Sequence, residues 1–447
     1  MKTYLLRFST KGIKNIDKVT SIDFYNNSIS KGKNINLENK NIKGIFGNNG
    51  AGKSAFILSI DIYNTLTSKN DYLVQDIIKK KLEKLINKAT NELFLENIFA
   101  VSKEEDINKV DEILRHTIII KPYINEYGEK KFSLIERLEK LKGTTINTDY
   151  EELYKVENGV LTISNDMIDK NWFIEEYSKR LDQSTLTSYT ITSLMKHENV
   201  EMTKNRLLTF VFAAFYNSYT TEVFIDNEDI HENLRINDFI SNSNNKRLDL
   251  FKHFDQATIS LKLNEDIIKV EQLENYRTQV KLLKEFIKIL KPNLIDIKID
   301  KKYDGEKYHC KKKFVYNDYE VDEECESTGI KRIIKMYTHI SLAIKGYKVF
   351  IDELDANISG VFLDKMLEFF AENGKGQLCF TTHNILSMNI LKKYKNSITV
   401  IGETGKVVNV VKNGHYQPVN LFYEGFIEDS PFNINSFDFF KSFDLEV

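Results

Sequence analysis

Gly47-Asn48-Asn49-Gly50-Ala51-Gly52-Lys53-Ser54 is the stretch on which the fold turns. It spells a complete G-x-x-x-x-G-K-S phosphate loop. A short apolar run, Ile42–Phe46, precedes it, and a helix-patterned run, Ser54–Leu66, follows. Strand, loop and helix in that order are the context the motif requires. Gly47, Gly50 and Gly52 let the main chain curl so that successive N–H groups face phosphate oxygens. Asn48, Asn49 and Ala51 complete the cradle, and the following helix adds its positive N-terminal dipole. Lys53 is expected to reach the β- and γ-phosphates, and the Ser54 hydroxyl to coordinate Mg2+. A glycine-rich turn that merely caps a helix would not need the whole motif, so the stretch predicts a nucleoside triphosphate site.

A second element lies far along the chain. Lys348-Val349-Phe350-Ile351 suits a buried parallel strand, and it ends in Asp352-Glu353. A carboxylate at the carboxyl end of such a strand faces the crevice where α/β sheets bind ligands. Asp352 is expected to hold Mg2+ through water, and Glu353 to orient or deprotonate the attacking water. A third element follows: the strand-like Gln377–Thr381, then Thr382-His383-Asn384. The spacing leaves room for a helix over 358–373 and a return strand. His383 would then contact the γ-phosphate and report its presence.

The set Gly47–Ser54, Glu326-Ser327-Thr328-Gly329, Val349–Asp355 and Thr381-Thr382-His383 resembles the ABC-type ATPases of the SMC/RecF class. More narrowly, it is similar to the prokaryotic AAA-family ATPases of OLD-like and abortive-infection defence systems. The resemblance implies an α/β fold: a P-loop NTPase with an ABC/SMC-type head, a mostly parallel sheet plus an antiparallel β subdomain, and a helical insertion. It matches Lys53 and Ser54 to the Walker A pair, Asp352 and Glu353 to the Walker B pair, and His383 to the switch histidine. Asp355 matches the D-loop acid, and Ser327 and Gly329 match the signature. On this likeness Ser327 and Gly329 would cap the γ-phosphate bound by a second subunit, making ATP part of a two-fold interface. Read alone, Ser-Thr-Gly is also a good helix N-cap. Thr328-Gly329-Ile330-Lys331 departs from the Gly-Gly-Gln run of ABC transporters, and Gln75 is the nearest candidate for a Q-loop glutamine.

Composition points the same way. With 447 residues, 41% of them hydrophobic, the chain can bury a large core. Cys310, Cys325 and Cys379 are scattered without metal spacing, which predicts a reducing, cytoplasmic setting and no zinc site. No apolar run is long enough to span a bilayer, and Met1–Thr10 lacks a signal-peptide core, so no membrane partner is expected. The net charge of −2 means that any nucleic-acid contact must be a local stripe.

The motif positions divide the chain into four parts. Residues 1–165 would carry the N-terminal part of the head with Walker A, and 166–290 a mainly helical insertion. Residues 291–420 would carry the signature, Walker B and switch histidine, and 421–447 an aromatic tail. Strands are expected at Leu5–Phe8, Ser21–Tyr25, Thr117–Ile124, Gly159–Ser164, Leu294–Ile299 and Lys311–Tyr316. Helices are expected at Asn171–Leu181, Lys204–Asn217, Glu265–Leu290 and about 329–345. The 265–290 helix stops at Pro292, which suits a core or lid helix better than a long coiled-coil arm. Lys79–Lys81 with Lys84 and Lys88, and Lys311–Lys313, are the places where phosphate backbone could be touched, although lysine runs are usually solvated faces. The tail holds Phe422, Tyr423, Phe426, Phe432, Phe437, Phe439, Phe440 and Phe443, read either as packing on its own core or as a docking strip.

No nuclease carboxylate cluster, His-Asn-His pattern or Ser/His/Asp set accompanies the motifs, and the segment after His383 is expected to be too short for the nuclease domain of OLD-like proteins. ATP hydrolysis is the only chemistry legible in the chain. The expectation is therefore a homodimeric or higher-order ATPase that controls a separately encoded effector, such as a nuclease or toxin, in anti-phage defence. The alternative is a RecF-like ATPase that grips DNA in repair or recombination. The helical insertion would serve as a sensor, a nucleic-acid clamp or an oligomerisation surface.

Overall fold

The computed structural model describes residues 1–25, 41–102, 109–143, 145–157, 159–164, 177, 184–196, 206–226, 261–410 and 417–427. It is an α/β protein with three sheets. The first seven strands and two helices run β1 (Lys2–Lys11), β2 (Thr20–Asp23), β3 (Ile42–Phe46), α1 (Lys53–Ser68), α2 (Asp76–Leu85), β4 (Leu93–Ser102), β5 (Glu112–Ile124), β6 (Lys130–Leu141) and β7 (Tyr150–Glu157). Next come β8 (Val160–Ile163), α3 (Leu186–Lys196), α4 (Arg206–Tyr219), β9 (Thr221–Phe224), β10 (Asp266–Lys269) and α5 (Leu273–Lys288). The last third holds β11 (Leu294–Tyr303), β12 (Lys307–Tyr316), β13 (Glu320–Asp322), α6 (Thr328–Lys345), β14 (Lys348–Ile351) and α7 (Gly360–Asn373). It closes with β15 (Gln377–Thr381), α8 (Met388–Leu391), β16 (Ile398–Ile401), β17 (Val407–Asn409) and α9 (Pro418–Tyr423).

One sheet has the order β17-β16-β3-β15-β14-β9. Its five strands from β16 to β9 are parallel, and β17 is antiparallel at the edge. Every residue of β3, β14, β15 and β16 is buried, as strands covered on both faces must be. Successive side chains divide between the two faces. Ile45, Phe350 and Cys379 share a core with the apolar residues of α1, whereas Phe46, Val349, Ile351, Leu378 and Phe380 share one with those of α6 and α7. The same core as α1 takes in Phe8 of β1, whose ring meets Phe56 and Tyr63 edge-on, with Leu95 of β4 and Ile118 of β5. Those strands belong to a seven-stranded antiparallel sheet, β2-β1-β4-β5-β6-β7-β8. Most of β5 and β6 alternates between buried and half-exposed residues, as befits a sheet with one face toward the core. Helices α3 and α4 pack on Phe99, Leu114, Leu138 and Tyr154 of this sheet.

The third sheet, β10-β12-β11 with β13 beside β12, is small and antiparallel and packs with α5 against α6. It accounts for one departure from the sequence reading. Of the helix expected over Glu265–Leu290, only Leu273–Lys288 is α-helical, and Asp266–Lys269 is strand β10 paired with β12. The Asp266 carboxylate is buried and accepts from Tyr276 (2.8 Å) and Lys312 (2.6 Å), so pairing and charge burial override the helical spacing of the apolar residues.

Within 166–290, β9 joins the parallel sheet beside β14, and β10 joins the small one. The helix expected at Asn171–Leu181 lies, apart from Tyr177, outside the described residues, as do Phe432, Phe437, Phe439, Phe440 and Phe443. In the described part of the tail Phe422 is buried, whereas Tyr423 and Phe426 are exposed. No helix among the described residues is long and apolar enough to cross a membrane.

Candidate functional site

The stretch Gly47–Ser54 links β3 to α1 at the carboxyl edge of the parallel sheet. Gly47, Gly50 and Gly52 have φ of +145°, +82° and +103°, values that side-chain-bearing residues avoid. At Gly47 space is also decisive, since a Cβ there would stand 2.2 Å from the Ile401 carbonyl oxygen. Ala51 is buried, Asn48 half-buried and Asn49 exposed. The Lys53 side chain folds back along the loop, and Nζ donates to the carbonyls of Gly47 (2.7 Å) and Asn48 (2.9 Å). Burial pushes the Lys53 ammonium below its usual pKa, while Asp352, Glu353 and Asp355 pull it back up. Two neighbours steady the loop from outside: Asn15 Nδ2 donates to the Gly50 carbonyl, and Glu403 Oε1 accepts from Asn48 Nδ2 at 2.7 Å.

Strand β15 lies between β3 and β14, so the ends of all three strands reach one place. Asp352, 8% exposed, follows β14, and its Oδ1 accepts from Ser54 Oγ (3.1 Å) and from Thr381 Oγ1 (2.5 Å). Thr381 Oγ1 in turn accepts from the Glu353 amide at 2.8 Å, and the Leu354 amide donates to the Thr381 carbonyl at 2.9 Å. Glu353 is exposed and has φ +50°, a left-handed conformation that a glutamate holds only when its surroundings impose it. Asp355 Oδ1 accepts from the exposed His383 amide at 3.3 Å. The glycine-rich loop, Asp352–Asp355 and Thr381–His383 are thus brought together.

Ser327 and Gly329 stand behind this turn at the start of α6. Ser327 is the N-cap, and its Oγ accepts from the Ile330 amide at 3.4 Å. Glu326 locks the approach: its carboxylate accepts from the Ser327 amide (3.0 Å), from Lys291 Nζ (3.1 Å) and from the Tyr316 hydroxyl. Gly329 touches the far end of the Asp352 turn, where a Cβ would come within 2.7 Å of the Asn357 carbonyl oxygen. Gln75 is exposed at the start of α2, bonded to Asp71 at 3.0 Å.

Ser54 and Asp352 offer a hydroxyl and a carboxylate, the hard oxygen donors that magnesium takes together with substrate phosphates and water. The described residues contain no cluster of three or more His, Cys, Asp or Glu able to hold a metal, and a magnesium bound in that shared way needs none.

Several residues of this neighbourhood were not assigned a role from sequence. Thr381 closes β15 and links the two halves of the site. Arg332, 3% exposed on α6, donates to the Asp352 and Glu353 carbonyls, both at 2.8 Å. An arginine set among Ile330, Ile333, Ile334 and Met336 is the signal that would have found it. Of the eight lysines in the two runs, Lys312 is buried in an ion pair, Lys313 pairs with Asp322 and Lys79 with Asp76. No protein-family model matches this chain, and no curated protein matches it significantly.

Proposed function

We propose that this chain is an ATP hydrolase with a P-loop NTPase core of the ABC/SMC head type. One observation carries the reading: Asp352 Oδ1 accepts from both Ser54 and Thr381, which joins a complete phosphate-loop motif to an acidic strand end across one intervening strand. The loop amides and Lys53 would bind the triphosphate, and Mg2+, held by Ser54 and Asp352, would neutralise charge on its phosphates. In the reaction a water oxygen bonds to the γ-phosphorus while the bond from that phosphorus to the β–γ bridging oxygen breaks. ADP leaves with the bridging oxygen. Glu353 takes the proton from the water and passes it to the phosphate product or to solvent. His383, beside Asp355, would sense the γ-phosphate.

By resemblance to the SMC/RecF class, Ser327 and Gly329 would complete a site on a second copy, and the cycle would drive a separately encoded effector in anti-phage defence. The alternative is a RecF-like DNA grip; of the eight lysines expected to touch phosphate backbone, Lys312, Lys313 and Lys79 pair with carboxylates of the same chain.

The test is nucleotide affinity and phosphate release with magnesium, on wild type, Lys53→Ala and Glu353→Gln. Lys53→Ala should lose binding. Glu353→Gln should bind ATP as wild type does and turn over about 100-fold or more slowly, the usual share of a general base. Normal turnover in Glu353→Gln would remove Glu353 from its role, and wild type that releases no phosphate would end the hydrolase reading.

A further inference from the structure

Helix α6 grips the acidic turn at both ends. At the far end Gly329 lies against the Asn357 carbonyl, so closely that only a glycine fits. At the near end, one turn further along the helix, Arg332 spans the carbonyls of Asp352 and Glu353 with Nη2. Its Nη1 pairs with Asp226 at 2.8 Å, and the guanidinium lies 4.7 Å from the centre of the Phe224 ring. Lys335 also pairs with Asp226, at 2.7 Å. Burial alone would raise the Asp226 pKa, but Lys335 and Arg332 hold its carboxyl below the usual range, so Arg332 keeps a charged counter-ion at neutral pH.

We infer that Arg332 is a positioning residue that fastens the main chain of Asp352 and Glu353 to α6, so that a displacement of the Ser327–Gly329 end of that helix is transmitted to the Glu353 carboxylate. The transmission to catalysis rests on the reading of Glu353 as the base; the fastening itself does not. The physical need is visible in the backbone. A left-handed glutamate is strained relative to ordinary conformations, and it persists only under restraint from several sides. Thr381 Oγ1 restrains Glu353 through its amide, and Arg332 restrains it through its carbonyl. The planar guanidinium serves two carbonyls and a carboxylate at once, which the single ammonium of a lysine cannot do in the same geometry. Since α6 is capped by Ser327 and is packed on the turn at Gly329 as well, helix and turn are held as one body, and anything that docks on the helix start would act on Glu353 without touching it.

The experiment uses the full chain with Arg332→Lys and Asp226→Asn. The readouts are amide hydrogen exchange, ATP affinity, and kcat separated from KM. In Arg332→Lys the amides of Leu354, Ala356 and Ile358, bonded within or beside the turn, should exchange about tenfold or more faster, as expected for local opening confined to one unit, while those of α1 stay protected. ATP affinity and KM should remain near wild type, with kcat reduced about 100-fold, the scale of a misplacement of order 1 Å. Asp226→Asn should move the same quantities in the same direction by less. Wild-type exchange across 353–358 in Arg332→Lys would overturn the fastening. Affinity falling in parallel with kcat would overturn the positioning role, since the loop would then have been damaged as well. If wild type proves not to hydrolyse ATP, the hydrolase reading fails by itself, and the exchange measurement still decides whether Arg332 holds the turn.

Discussion

Two lysines in this molecule sit among carboxylates, and they are built in opposite ways. Lys312 lies inside the small sheet, with Nζ 2.6 Å from Asp266 Oδ2, 3.2 Å from Glu323 Oε2 and 2.8 Å from the Lys262 carbonyl. Tyr276 closes the same cluster from α5. Lys53 spends its ammonium on two carbonyls of its own loop, and Asp352, Glu353 and Asp355 act on it through their field. The first arrangement solves a burial problem and ends there, because its charges face each other. The second holds one cation and three carboxylates at the ends of parallel strands, with Glu353 exposed and the main chain in left-handed turns. Residue type is the same in both places. Direction and strain tell a structural charge cluster from one arranged toward a ligand.

Exchanging the two lysines for neutral residues tests that contrast. Lys312→Met leaves two carboxylates buried without their cation and should cost about 3–5 kcal/mol in urea unfolding, with ATP affinity unaltered in the folded protein. Lys53→Ala should do the reverse, losing affinity while stability changes little. If both variants lost affinity, the two clusters would be one functional unit and the contrast would fail.

A smaller effect is expected from Glu323→Gln. Burial pushes the Glu323 carboxyl up to about 7 from an ordinary 4.5, against the pull of Lys312. The unfolded chain releases this proton near 4.5 and the folded one near 7, so the folded state binds more protons across that window. Stability should therefore fall as pH rises through it, by about 3 kcal/mol. Glu323→Gln should flatten this slope, which thermal midpoints across pH 4 to 8 would show; an unchanged slope would place the titration elsewhere.

The smallest expected change is at Ser327. As an N-cap its replacement by alanine should cost about 1 kcal/mol. A turnover loss much larger than that cost, at unchanged ATP affinity, would say that Ser327 also serves a second copy, whereas a loss matching the stability change would leave it a cap.

The sequence is legible where information is local. Gly47–Ser54 could be recognised because glycine spacing, a preceding apolar strand and a following helix are written next to one another. Ile42–Phe46, Lys348–Ile351 and Gln377–Thr381 read as strands with the bounds the backbone adopts. Legibility fails at Asp266–Lys269, where β pairing to distant Lys307–Cys310 outweighs a helical apolar pattern. Strands β4, β6 and β7 went unread because antiparallel partners, rather than a distinctive local signal, hold them in register.

The phosphate-loop motif, the acidic strand end and the histidine that follows the next strand are legible in the residues alone, because each is a short run whose residue types constrain its own backbone. It took the folded chain to show that Asp352 accepts from both Ser54 and Thr381, that Gly329 must be bare to meet Asn357, and that Arg332 holds the turn from behind. Those contacts link residues far apart in the chain. Parallel pairing sets them by stacking the strand ends at one edge, and no local pattern encodes which ends will become neighbours.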